Sequence, residues 1–148
     1  MDYVMGNFSD RRRFWVLNVI DEYSRRCLAS VATKRPTSSQ LLATLSQILE
    51  REGAPKSIRS DHGPQFISEA CASWCWRHGV AHRFTGKIAF KENCLAERLN
   101  LTVRNEVIDV FHIPTLEDAQ YVLDDWRNHY NSARSHKSLG GRCPDQIT

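Results

Sequence analysis

The sequence predicts an α/β domain, a mixed five-stranded sheet with helices on its faces. Three observations lead there. Strand-like runs open the chain before any helical period appears. Shorter strand-like segments then alternate with helical ones. The 148 residues, 41% hydrophobic and 25% charged, suffice for one core and do not oblige the chain to divide. Residues 1–148 are therefore read as a single domain.

Met1 to Gly6 reads as a short strand, and Asn7-Phe8-Ser9-Asp10-Arg11 as a polar turn. Phe14 to Ile20 is an apolar run rich in β-branched and aromatic residues, which suits a well-buried strand. Asp21-Glu22-Tyr23-Ser24 makes the next turn, and Cys27 to Ala32 the third strand. Thr37-Ser38-Ser39 supplies an N-cap region. Leu41, Leu42, Leu45, Ile48 and Leu49 follow at helical spacing, stopped by Gly53 and Pro55. Lys56 to Ser60 is the fourth strand. Pro64 suits the first turn of a helix that ends near Gly79. Val80 to Phe84 is the fifth strand, and two helical periods follow, from Glu92 to about Val110 and from Thr115 to about Asn131.

Composition narrows the function classes. No apolar run reaches 18 residues, so no segment reads as a membrane span. The N-terminus lacks the basic-then-apolar layout of a signal peptide. A net charge of +3 permits a polyanionic partner without arguing for one. Arg11-Arg12-Arg13 is a compact basic cluster. Five cysteines, with no C-x-x-C pair, read as reduced thiols of a cytoplasmic protein. Cys71, Cys75 and His78 would share one helical face, with His82 nearby, and zinc is conceivable there. The spacing fits no standard finger, however. Packing is the better reading of the sequence, with Trp74 and Trp76 marking a core helix.

Three carboxylates carry the chemistry: Asp2 in the first strand, Asp61 at the end of the fourth, and Glu97 on a helix. Residues 62–96 separate the last two, a gap of 35. Acids from three elements can converge on hard cations that take oxygen ligands. Such a site suits in-line phosphoryl transfer between two metals. On the helix, Leu95, Leu99, Val103 and Val107 form one apolar stripe. Glu97 stands roughly 200° from Leu99 and faces away from it. Asn93, Asn100 and Arg104 share the face of Glu97. Asp21 is the rival for the first acid. If the first hairpin turn centres near Ser9-Asp10, Asp2 falls opposite Leu17. Asp21 then lies roughly 13 Å further along, which leaves it a turn-forming role with Ser24.

These pieces together resemble the DDE catalytic core of retroviral integrases and of related insertion-sequence transposases. The resemblance spans nearly the whole chain. It runs through Met1-Asp2-Tyr3-Val4, Val16 to Arg25, Ile58-Arg59-Ser60-Asp61-His62-Gly63-Pro64-Gln65-Phe66 and Glu92-Asn93-Cys94-Leu95-Ala96-Glu97-Arg98. It closes with Tyr130-Asn131-Ser132-Ala133-Arg134-Ser135-His136 to Gly140, and Pro144. A lone Ser-Asp-x-Gly is weak evidence; all five pieces in order, at that spacing, are strong. The chain departs from the family pattern at His62, where Asn is common, and at Gln65, where Glu is common. It also departs at Glu92, one carbon longer than the usual Asp, and at Ser135 in place of Pro. His62 reads better as a turn residue than as a phosphate contact.

The resemblance implies a ribonuclease-H-like fold and DNA strand cleavage and transfer. It implies Asp2, Asp61 and Glu97 as catalytic and metal-binding residues, with two Mg²⁺ or Mn²⁺ ions. DNA would lie along Lys87, Lys91, Asn93, Arg98 and Arg104, with Arg11 to Arg13 as lesser candidates. The partners implied are element ends, target DNA and further protomers or a full-length transposase, in the bacterial cytoplasm on the nucleoid. Two alternatives remain at this point: a nuclease of the same fold, or an inactive remnant that only binds DNA or a partner. The resemblance also raises the expectation of N-terminal truncation, because related chains carry a tryptophan and recognition domains upstream of the first Asp.

Overall fold

The computed structural model describes residues 1–86 and 94–147. The strands are β1 (Asp2–Asn7), β2 (Arg13–Ile20), β3 (Cys27–Thr33), β4 (Ser57–Ser60) and β5 (Ala81–Phe84). The helices are α1 (Ser38–Glu52), α2 (Glu69–His78), α3 (Cys94–Val103) and α4 (Leu116–Ala133). The element order matches the expected one. Strands β1, β2 and β3 form an antiparallel meander, and β4 pairs with β5 in parallel. The Met1 nitrogen donates to the Arg59 carbonyl at 2.9 Å, so the start of β1 lies against β4. The expected single five-stranded ladder is therefore interrupted between β1 and β4. Strand β4 is short and ends one residue beyond that bond.

The β1–β2 turn sets the register of the site. Arg11 N–H donates to the Phe8 carbonyl and Phe8 N–H to the Arg12 carbonyl, with Arg11 at φ 70°. This is a type I turn closed by a left-handed residue, a favoured three-residue hairpin loop. The loop centres on Asp10, so Asp2 pairs with Asn18 rather than with Leu17. The one-residue correction turns Asn18, not an aliphatic side chain, into the cross-strand neighbour of Asp2. The arginine cluster sits at the tip of this hairpin, at the far end of β1 from Asp2. There Arg12 pairs with Asp10 at 2.6 Å and covers the Phe8 ring.

Strand β2 is covered on both faces, as its apolar run requires. Leu17 and Val19 join the core formed with Leu41, Leu45 and Ile48 of α1 and Cys71, Trp74 and Cys75 of α2. Phe14 and Val16 join the opposite core with Val103, Val107, Ala119 and Leu123. Gly6 faces Phe14 so closely that a Cβ there would stand 2.7 Å from the ring. Helix α1 is capped by the Thr37 side chain and stopped at Gly53, φ 83°. Helix α2 begins later than expected: Ser68 is its N-cap, and Pro64 lies in the preceding turn. Trp76, expected in the core, is 84% exposed, because it lies on the opposite face of α2 from Cys71 and Cys75.

Helix α3 carries the four-residue apolar stripe into a π-turn, Arg104–Ile108. A repeat of four overruns the α-helical turn by about 40° per step. The wider π-turn takes up that drift and keeps Val107 buried. Helix α4 runs along the free edge of β3 and satisfies it with side chains. Asn131 accepts from Cys27 N–H at 2.8 Å and donates to the Cys27 carbonyl at 2.9 Å. Gln120 likewise accepts from Ala32 N–H and donates to the Ser30 carbonyl. The exposed ladder of an edge strand is thereby closed to other chains, which gives the Tyr130-Asn131 piece of the sequence a structural role. Among the described residues, no helix is long and apolar enough to cross a membrane.

Candidate active site

Asp2, Asp61 and Glu97 come from three elements: the first residue of β1, the residue after β4, and the first turn of α3. Asp2 is half-buried, whereas Asp61 and Glu97 are exposed. The Asp2 carboxyl is held above the usual range. Burial is the main cause; the Tyr3 N–H opposes it, and the negative charges of Asp61 and Glu97 push it further up. Asp2 thus senses the charges of both other acids. Among the described residues, only Cys71, Cys75 and His82 bring three metal-ligating atoms all within 4.8 Å of one another. The carboxylates are accordingly more widely spaced.

Each acid is oriented differently. Asp61 accepts from Gly63 N–H at 2.8 Å, and a Cβ on Gly63 would stand 3.1 Å from the same oxygen. The Ser-Asp-x-Gly piece is therefore a tight turn in which a side chain at 63 would crowd the acid. His62, expected as a turn residue, stacks on Phe84, which stacks in turn on His82. Asp2 takes the Tyr3 N–H on Oδ1 at 2.9 Å and the Asn100 side-chain N–H on Oδ2 at 3.0 Å. Asn100 also donates to the Tyr3 carbonyl and accepts from Asn18 Nδ2 at 2.8 Å. Asn18, with no exposed surface, accepts from the Ser30 hydroxyl at 2.7 Å. A polar relay thus runs from β3 through β2 and α3 to the Asp2 carboxylate.

Asn18 and Ser30 were not singled out by sequence reasoning, although Asn100 was, by its shared face with Glu97. The available signal was a single amide inside the apolar run Phe14 to Ile20. Asp21 behaves as expected of a turn former: its Oδ2 accepts from both the N–H and the hydroxyl of Ser24. It stands three residues past Asn18, the partner of Asp2. Arg98 is exposed beside Glu97. Arg104 donates to the Met5 carbonyl and pairs with Asp109 at 3.8 Å, which ties it to β1. Lys87, Lys91 and Asn93 lie outside the described residues. The donor set of the three acids is all oxygen, partly open to solvent and mutually repelling, and it fits hard divalent cations.

Comparison with known proteins places this geometry. A sequence profile described as the integrase core domain matches residues 1–88, and a second profile with the same description matches residues 78–144. A 39.2 kDa protein of insertion element IS476 from Xanthomonas euvesicatoria is 31% identical over 99% of this chain and 42% of its own length. A 31.7 kDa protein of insertion element IS407 from Burkholderia multivorans is 28% identical over 99% of this chain and 53% of its own. The chain therefore spans about half the length of these relatives. Among solved structures, the HTLV-2 integrase catalytic core domain in complex with magnesium superposes with a TM-score of 0.77 at 19% identity, covering 99% of this chain and 91% of that one. The simian T-cell lymphotropic virus intasome with a PP2A regulatory subunit gives 0.82 at 17% identity, covering 99% and 51%. These likenesses give the fold: ribonuclease-H-like, that of retroviral integrase catalytic cores.

Proposed function

Because the chain belongs to the integrase core domain family, we propose that it is the catalytic core of an insertion-element transposase, cutting and joining DNA at Asp2, Asp61 and Glu97. What supports this reading most is the meeting of β1, the end of β4 and α3, which carry the three acids as one cluster: the Met1 nitrogen donates to the Arg59 carbonyl, and Asp2 accepts from Asn100 on the helix of Glu97. Such a cluster resists full ionisation when alone and gains from cation binding. Asp2, Asp61 and Glu97 would hold two Mg²⁺ or Mn²⁺ ions, and the bound metal would supply activation of the attacking hydroxyl and charge stabilisation at the leaving oxygen.

The chain's own residues then do three things. Asn100 holds one oxygen of Asp2 and leaves its carboxylate aimed from a fixed rotamer. The Asp61 turn keeps its acid at the protein surface, where a phosphodiester can reach it. Arg98, beside Glu97, contacts DNA phosphate, as do Lys87, Lys91 and Asn93; Arg104 contributes from the next turns. Such contacts position DNA without reading its sequence. Joining two ends brings in at least a second protomer.

The test is a gel assay with labelled, pre-cut element ends, target plasmid and Mg²⁺ or Mn²⁺. Joined products in wild type, absent in Glu97→Gln, support the reading. Cutting without joining indicates a nuclease. DNA binding with neither product indicates an inactive binding domain.

A further inference from the structure

Cys71 and Cys75 stand one turn apart on α2, and both are buried. They face His82 on β5, whereas the His78 ring lies tilted against Trp74, with centroids 4.6 Å apart. The two sulfurs and a ring nitrogen of His82 all lie within 4.8 Å of one another, with Cys71 Sγ 3.9 Å from His82 Nδ1. A tetrahedral zinc with bonds of about 2.0–2.3 Å sets its ligands about 3.5–3.8 Å apart. A small contraction would bring all three onto one ion.

The other ring nitrogen decides the chemistry. His82 Nε2 lies 2.7 Å from the Ser60 hydroxyl, and that hydroxyl donates its own proton to the Asp61 carbonyl at 2.9 Å. With the Ser60 hydroxyl donating there, it accepts from His82; that arrangement puts the ring proton on Nε2 and leaves Nδ1, the nitrogen nearer Cys71, as the acceptor. A histidine held by a hydrogen bond on one nitrogen, with the other nitrogen free, is arranged as a metal ligand. Burial also favours the neutral imidazole. The spacing of these residues matches no standard finger, which is why the sequence alone favours packing; the juxtaposition of α2 and β5 is tertiary.

We propose that Cys71, Cys75 and His82 bind one thiophilic d¹⁰ cation, Zn²⁺ or Cu⁺, as a clasp between α2 and β5 behind the Asp61 turn. The two thiols lose their protons to solvent on binding, and no electron is transferred. Cu⁺ is satisfied by the three protein ligands; Zn²⁺ takes a solvent molecule as its fourth. This site is separate from the carboxylate site and uses none of its residues.

The experiment loads the reduced protein with Zn²⁺ or Cu⁺ in separate arms, removes excess ion and measures metal per chain by elemental mass spectrometry. One equivalent is expected, in the arm that identifies the ion. It is lost in Cys71→Ser, Cys75→Ser and His82→Gln and kept in His78→Gln. Ser60→Ala should weaken binding by about 10–100-fold. Should a cysteine variant fail to fold, the wild-type protein still reports through thiolate-to-metal charge-transfer absorption, with Co²⁺ replacing Zn²⁺. The proposal is overturned if neither ion binds at one equivalent, if the metal persists in the Cys71→Ser/Cys75→Ser double variant, or if no thiolate charge-transfer band forms.

Discussion

Removing the Asn100 amide tests the relay behind Asp2 most directly. In Asn100→Ala, the Asp2 carboxylate loses a hydrogen bond of 3.0 Å, and Asn18 loses the acceptor that its side-chain N–H has among the described residues. Hydrogen bonds to charged groups are worth about 1.5–3 kcal/mol, and an orphaned buried donor costs about 1–3 kcal/mol. Asp2 is half-open to water and recovers part of its share, so a loss of about 3 kcal/mol is expected in the metal-free protein. For a domain of this size each kcal/mol shifts Tm by about 2–4 °C, giving a fall of about 6–12 °C. Asp2 would also have to be ordered when a cation binds. At about 0.5–1.5 kcal/mol for a restrained side chain, Mg²⁺ affinity should drop by about 2–10-fold. Asn100→Asp separates positioning from packing. It keeps the shape and can accept from Asn18, yet it faces Asp2 with another negative charge. That variant should destabilise the metal-free protein while tightening Mg²⁺ binding. Differential scanning fluorimetry with isothermal titration calorimetry reads both quantities. An Asn100→Ala protein that folds and binds Mg²⁺ as wild type does would refute the positioning role.

Asp61→Asn and Glu97→Gln should each abolish strand transfer, with circular dichroism unchanged because both side chains are exposed; robust joining by either variant removes that residue from the site. The folded state holds the Asp2 proton more tightly than the unfolded chain does. Metal-free stability attributable to Asp2 is therefore present at low pH and declines as pH rises above about 3.8 through the raised value; the wild-type minus Asp2→Ala difference in Tm against pH should slope downward in EDTA and reverse in Mg²⁺. Glu106 has the opposite sign. Burial alone would raise its carboxyl, but bonds from Arg134 and Trp126 outweigh that and lower it, so its stabilising effect is present above about 4.5 and fades as pH falls through the lowered value, which Trp126 fluorescence should follow. Asn131→Leu leaves both main-chain groups of Cys27 unpaired in a buried position; a loss of about 2–4 kcal/mol in chemical denaturation is expected, and a loss under about 0.5 kcal/mol would mean that water replaces the amide.

Much of the fold is legible along the chain because it is written in local periods. The apolar run Phe14 to Ile20, the cap at Thr37 with its stop at Gly53, and the apolar stripe from Leu95 to Val107 each depend on neighbours within a few residues. The acids Asp2, Asp61 and Glu97 are legible for a related reason: their order, spacing and flanking residues form a pattern that one sequence displays whole. The expectations that shifted depend on distance in space. A one-residue change in a hairpin loop moved the partner of Asp2 from Leu17 to Asn18, because side chains in a strand alternate and register decides which one faces the site. No local rule marks Asn18 and Ser30 as supports for Asp2, since a buried amide earns its place only through a partner 82 residues away. Trp76 left the core and His82 displaced His78 beside the two cysteines for the same reason: helical spacing states which residues share a face, but only packing against β5 decides what that face meets. The sequence by itself therefore determined the elements and the family, and it singled out the three acids proposed as the site. The tertiary structure alone decided how Asp2 is held and which histidine meets the thiols, because both follow from contacts between segments far apart in the chain.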